Sequence, residues 1–146
     1  MNFPKTIARV LTGLALLACA QGAVAQSIRV AKSPYCGCCA QWVEHLRRAG
    51  FQIQIVDTED LNPIARQLGV PDDLRSCHTA VVGGYVIEGH VPAADIRRLL
   101  AQRPRGTGLA VPGMPVGSPG MEQGNRRQAY NVILFEGSRR AVFARH

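Results

Sequence analysis

Ile28-Arg29-Val30-Ala31-Lys32-Ser33-Pro34-Tyr35-Cys36-Gly37-Cys38-Cys39-Ala40-Gln41-Trp42-Val43 decides how this chain folds. Ile28 to Ala31 reads as a short strand, and Lys32-Ser33-Pro34 ends it. From Cys38 to Ala49 the apolar positions Cys39, Trp42, Val43 and Leu46 recur at i, i+3, i+4 and i+7, the stripe of an amphipathic helix, and Gly50 supplies its stop. Three cysteines therefore sit at a strand-to-helix turn and in the first helical turn. Unpaired N–H groups and the positive end of the helix dipole favour anions there, so thiolate is promoted. Cys39 lies on the stripe and should face inward. Cys36 precedes the helix and should be more exposed, and Cys38 points to another side.

Working outward, Phe51, Ile53 and Ile55 alternate with Gln52 and Gln54 as a second strand. Asn62-Pro63 has the form of an N-cap followed by proline, opening a short helix that ends at Gly69. Ala80-Val81-Val82, Gly83-Gly84 and Tyr85-Val86-Ile87 form a hairpin signal. Pro92 to Arg103 is expected to be helical, with Ile96, Leu99 and Leu100 inward and Asp95 early in the helix. From Pro104 to about Gln128 periodicity is lost in a Gly/Pro/Met-rich loop that contains Met114 and Met121. Tyr130 to Phe135, the turn Glu136-Gly137-Ser138 and a short strand from Ala141 to Ala144 close the chain as a C-terminal β-hairpin. The order β-α-β-α-β-β-α with a long excursion predicts a compact α/β sandwich.

The address is written at the N-terminus. Lys5 and Arg9 precede an uncharged run from Val10 to Ala20, and Ala23-Val24-Ala25 precedes Gln26. This is the form of a signal peptide over residues 1–25, leaving a mature domain of 26–146 with no transmembrane segment and a periplasmic location. Leu16-Leu17-Ala18-Cys19 also allows a lipoprotein anchored through Cys19. The whole chain carries 17 Lys+Arg against 10 Asp+Glu, and loss of Lys5 and Arg9 leaves 15 basic residues. The arginine pairs are scattered, and export argues against a nucleic-acid partner.

Four cysteines remain in the mature chain: Cys36, Cys38, Cys39 and Cys77. An even count in an oxidising compartment suggests disulfides. Three of the four fall within four residues, where they cannot staple distant segments, so clustering points to chemistry. The plain alternative is a local disulfide plus two buried thiols. Thiolates select Cu(I), Zn or Fe–S clusters, and the affinity order places copper above zinc. Neighbouring side chains such as Cys38 and Cys39 diverge, so bridging thiolates in a multinuclear Cu(I) cluster use all four sulfurs more naturally than one tetrahedral ion does. His78 adjoins Cys77 and is either an additional ligand or a hydrogen-bonded loop residue. Met114 and Met121 carry thioethers that suit Cu(I) and are either additional ligands or parts of a lid. His90 reads as a loop histidine, His45 and His146 as surface residues, and Tyr35 and Trp42 as water-excluding neighbours of the site.

The placement of Cys36-Gly37-Cys38-Cys39 resembles the thioredoxin-like fold, and Thr79 through Leu100 is similar to the second half of a glutaredoxin-like domain. More specifically, Tyr35-Cys36-Gly37-Cys38-Cys39, Ser76-Cys77-His78-Thr79-Ala80-Val81-Val82, Glu88-Gly89-His90-Val91-Pro92 and Gly113-Met114-Pro115-Val116-Gly117-Ser118-Pro119-Gly120-Met121-Glu122 resemble the DUF411 (CopG-like) family of exported proteins associated with copper resistance. The resemblance implies a thioredoxin-like fold and copper binding through the cysteines. Where thioredoxins place a cis-proline against the dithiol, this chain reads Cys77-His78-Thr79, and Cys77 is then expected to face Cys36 and Cys39. The reading that follows is an exported copper-binding protein for copper resistance and homeostasis, with copper ions and other copper-handling proteins of the compartment as partners. A thiol or copper oxidoreductase, with Cys36 as nucleophile and Cys39 as resolving thiol, is one alternative. The other is a structural zinc site of Cys36, Cys39, Cys77 and His78.

Overall fold

A computed structural model describes residues 26–146; the expected signal segment 1–25, with Cys19, lies outside the described residues. The elements follow one another as β1 (Ser27–Lys32), α1 (Gly37–Arg48), β2 (Gln52–Asp57), α2 (Asn62–Gln67), a single 3-10 turn (Asp72–Leu74), β3 (His78–Val82), β4 (Tyr85–Glu88), α3 (Ala93–Gln102), β5 (Gly108–Ala110), β6 (Asn131–Glu136) and β7 (Arg139–Arg145). They form a mixed α/β structure around one seven-stranded sheet of order β2-β1-β3-β4-β5-β6-β7. The crossover through α1 makes β1 and β2 parallel. β3 pairs antiparallel with both β1 and β4, and the turn at Gly83-Gly84 closes the expected hairpin.

Alternation along the strands sends side chains to two layers. Ile28, Val30, Ala80, Val82, Ile87 and Leu109 meet Trp42, Val43 and Leu46 of α1 and Ile96 and Leu99 of α3 in the larger core. Val86, Ala110 and Phe135 face Ala65 of α2, Val70 and Leu74 in the smaller one. The apolar stripe read for α1 is the buried one, residue for residue: Cys39, Trp42, Val43 and Leu46. The arginine pair of α3 does not lie free as a basic patch, because Arg97 sits over the Phe51 ring and Arg98 over the Phe143 ring. Among the described residues no helix is long and apolar enough to cross a membrane.

Three local differences from the sequence reading have physical causes. Asn62 is already helical, and Asp60 caps the start of α2 by accepting the Asn62 N–H at 2.9 Å. The last strand runs from Arg139 to Arg145, longer than Ala141 to Ala144, because its register with β6 continues through the charged ends. The long excursion contains a strand: β5 pairs parallel with β4 and antiparallel with β6, and joins the C-terminal hairpin to the main sheet. Gly108-Leu109-Ala110 is too short for periodicity to register, and it is wholly buried. Its first residue has to be glycine, since a Cβ there would lie 1.8 Å from the Val86 carbonyl oxygen.

Backbone cannot retreat from that contact without breaking the β4–β5 ladder. Gly108→Ala is therefore expected to destabilise the protein by about 3 kcal/mol or more, at or above the upper end of ordinary overpacking costs, read as a fall in the thermal or denaturant midpoint.

Candidate metal centre

Cys36 is the N-cap of α1, and its sulfur accepts the Cys39 N–H at 3.3 Å. Side-chain capping of this kind satisfies one of the donors that a helix start leaves unpaired. Cys36 and Cys39 are joined as a disulfide across 5.3 Å between Cα atoms, and Cys38 and Cys77 are free thiols. The local disulfide that the sequence left as the plain alternative is thus present. It closes one helical turn and leaves the other two sulfurs beside it.

Those sulfurs converge. Cys38 Sγ lies 3.4 Å from Cys36 Sγ and 3.9 Å from Cys77 Sγ, and the sulfur of Cys39 is 3.3 Å from the Cys77 carbonyl oxygen. All four sulfur atoms fall within 4.8 Å of one another. Cys39 is fully buried and Cys36 partly open, as the helix stripe predicts, but Cys38 does not point to another side: it sits in the first turn of α1, beside the N-cap, and its partly open sulfur joins those of Cys36 and Cys77.

Cys77 is delivered by the turn before β3. The buried Glu88 carboxylate of β4 accepts the Ser76 N–H at 2.7 Å and the Thr79 hydroxyl at 2.6 Å, pinning the residues on either side of Cys77 and His78. Burial raises the Glu88 pKa against the pull of these hydrogen bonds. Burial also pushes the Cys77 thiol up to about 12, with the Cys38 thiol adding to the shift. The metal-free site therefore holds a neutral thiol at Cys77, and a bound ion would have to displace its proton.

Two histidines complete the surroundings. His78 is fully buried in β3, its ring 4.2 Å from Trp42 and 4.9 Å edge-on from His90. Burial lowers its pKa to about 3, helped by the neighbouring His90, so its imidazole is neutral. The sequence reading missed His90, taken there as a loop residue. It too is fully buried, and its Nε2 lies 3.1 Å from Cys77 Sγ. One signal could have found it: Glu88-Gly89-His90-Val91-Pro92 stands among the stretches that carry the family resemblance.

The Gly/Pro/Met loop is pressed onto this site. A Cβ at Gly120 would lie 2.7 Å from the Cys38 carbonyl oxygen and 2.7 Å from the Trp42 nitrogen, so the loop backbone rests on the first turn of α1. Pro119 offers its carbonyl to His90 Nδ1 at 2.8 Å. Met121 is half-buried, and Met114 is 52% exposed. Trp42 lies in the core behind the site, whereas Tyr35, at 84% exposure, covers nothing. His45 accepts the Ala93 N–H at 3.1 Å, and His146 pairs with Asp95 at 2.7 Å, so both expected surface histidines hold structural contacts away from the sulfurs. Two free thiols and two imidazoles, joined by the Cys36 and Cys39 thiolates once their disulfide is reduced, form a donor set that fits a soft or borderline ion.

A family model described as "Protein of unknown function, DUF411" matches residues 74–121. Two solved structures also match: "Copper resistance protein copG- Form 2", with a TM-score of 0.79, and "Copper resistance protein copG- Form 1", with 0.78. Each is 45% identical; the alignments cover 83% and 82% of this chain and 98% and 96% of theirs. The chain belongs to the DUF411 (CopG) family. A comparison with curated protein sequences gives no match. The segment matched by the DUF411 model contains Cys77, His78, His90, Met114 and Met121, and the Cys36-Gly37-Cys38-Cys39 turn precedes it.

The buried imidazole makes the metal-free DUF411 protein acid-sensitive. The folded pKa of His78 lies below the ordinary 6.5, so the unfolded chain binds the extra proton. Its contribution is complete above about pH 6.5 and is lost as pH falls toward 3, by up to about 1.4 kcal/mol per pH unit. Denaturant midpoints between pH 7 and 4 should fall with that sign, and His78→Gln should reduce the slope, with His90, whose pKa burial also lowers, keeping the rest.

Proposed function

We propose that this protein is an exported copper-binding protein that holds Cu(I) through Cys36, Cys38, Cys39 and Cys77, in a multinuclear cluster with bridging thiolates, for copper resistance and homeostasis. The observation that carries the reading is the convergence of four cysteine sulfurs within 4.8 Å at the start of α1, which can ligate together once a thiol reductant has opened the Cys36–Cys39 disulfide by two electrons. Thiolates select soft ions, and the affinity order favours copper over zinc. The relatives titled as copper resistance proteins point the same way. His78, Met114 and Met121 are the additional ligands this reading allows.

The same reading takes the domain as thioredoxin-like. Its support is the β1-α1-β2 unit, the β3–β4 hairpin and α3, with the cysteine turn at the β1–α1 junction and Cys77 where a thioredoxin keeps its cis-proline. Residues 1–25 serve as the signal peptide and 26–146 as the mature periplasmic domain, with lipid anchoring through Cys19 as the other form of export. Copper ions and the copper-handling proteins of that compartment are its partners.

The Cys36–Cys39 disulfide supports a second reading, a thiol or copper oxidoreductase. There Cys36 is the nucleophile and Cys39 the resolving thiol.

Fully reduced protein titrated anaerobically with Cu(I) is expected to retain more than one copper per chain; a ratio that stops at one removes the cluster. Cys77→Ser should cripple copper retention while leaving Cys36/Cys39 disulfide exchange largely intact. Loss of exchange with copper retained would favour the oxidoreductase.

A further inference from the structure

The sheet is open and has two edges, β2 and β7. An exposed edge is a template for another strand, and proteins usually guard it with charge, proline or a bulge. β7 is guarded: it carries Arg139, Arg140 and Arg145, and its register with β6 is broken at Val132/Ile133. β2 is not. Gln52-Ile53-Gln54-Ile55-Val56 has no charge and no proline, and its parallel register with β1 runs unbroken from Gln52 opposite Ser27 to Asp57 opposite Lys32.

One set of β2 peptide groups points away from the sheet. The Gln26 and Lys32 carbonyls accept the Gln52 and Thr58 N–H groups at 3.2 and 2.9 Å. In a parallel ladder every second residue turns both of its peptide groups to the neighbouring strand. Gln54 and Val56 therefore also face β1, and Ile53, Ile55 and Asp57 turn their N–H and C=O groups outward. Side chains add an apolar seam to this edge. Ile53 packs on the larger core, and Ile55, on the same face, is 40% exposed.

The flanks of the strand show what fits it. Arg48 ends α1 shortly before β2, and Glu59 follows β2; both are exposed, and neither has an ion-pair partner among the described residues. An identical strand laid antiparallel brings the acidic end of one copy to the basic end of the other, and a two-fold axis repeats the match.

We propose that two copies of this chain pair through β2, antiparallel about a two-fold axis, with Ile53 of each opposite Ile55 of the partner subunit. The outward peptide groups of those residues then exchange N–H···O=C bonds, and the isoleucines form two apolar cross-strand pairs. The two sheets become one continuous sheet that carries a cysteine turn in each half. The pairing is separate from the metal reading and does not require copper.

Sedimentation equilibrium of the purified protein tests it, with a concentration-dependent monomer–dimer equilibrium expected. Ile55→Pro removes an outward N–H and leaves the ladder to β1 intact, since proline is tolerated on an edge whose N–H faces solvent. It should weaken the dimer at least about tenfold, the scale of two lost backbone hydrogen bonds. Ile55→Lys keeps the backbone and replaces both apolar pairs, and it should weaken the dimer in the same direction. A monomer at every concentration, or a dimer that both folded variants retain at parent strength, overturns the proposal. Amide hydrogen exchange of the parent decides even if a variant fails to fold. Protection of the Ile53 and Ile55 N–H groups must rise with protein concentration while that of Gln54 and Val56, already bonded to β1, stays constant. Exchange at Ile53 and Ile55 that ignores concentration overturns the pairing.

Discussion

Trp42 is the joint on which the metal centre depends. Its indole N–H donates to the Val91 carbonyl at 2.9 Å, its ring packs on His78, and its backbone nitrogen lies where only a glycine at position 120 can approach. One fully buried side chain thus ties α1 to β3, to the turn before α3 and to the Gly/Pro/Met loop. Large aromatic side chains bury much apolar surface and satisfy their one polar atom by a single directed bond. At Trp42 that combination fixes the four segments that carry the cysteines, both buried histidines and the loop carbonyls.

Around that joint the site is assembled from neutral groups. Burial keeps Cys77 protonated and His78 unprotonated, and neutral ligands avoid the large cost of a buried charge. The Gly89 and Pro119 carbonyls accept hydrogen bonds from the two imidazoles, and Glu88 accepts those of the Ser76 N–H and the Thr79 hydroxyl, so these side chains are oriented in advance. Binding then exchanges a thiol proton for a metal ion, and affinity should depend on pH for that reason.

Much of this was legible in the sequence because it is local. The α1 stripe, the Gly83-Gly84 hairpin and the placement of Cys36, Cys38 and Cys39 at a helix start all follow from periodicity and turn chemistry over a dozen residues or fewer. The face-to-face placement of Cys77 came from the family resemblance and from the histidine-flanked cysteine where a proline is expected. What could not be read depends on distant contacts. β5 exists because Gly108 can lie against Val86, and three residues carry no period. His90 is drawn into the site by the carbonyl of Pro119, 29 residues further along the chain. The disulfide was legible as an option only, since spacing permits it without deciding between a bridge and free thiols.

The central claim is that copper is held by cysteine sulfur at the start of α1. Copper K-edge X-ray absorption on reduced protein loaded anaerobically with Cu(I) tests it most directly. A sulfur-dominated coordination shell with a short copper–copper vector is the predicted result. A shell of nitrogen and oxygen alone, with no copper–copper vector, would contradict it.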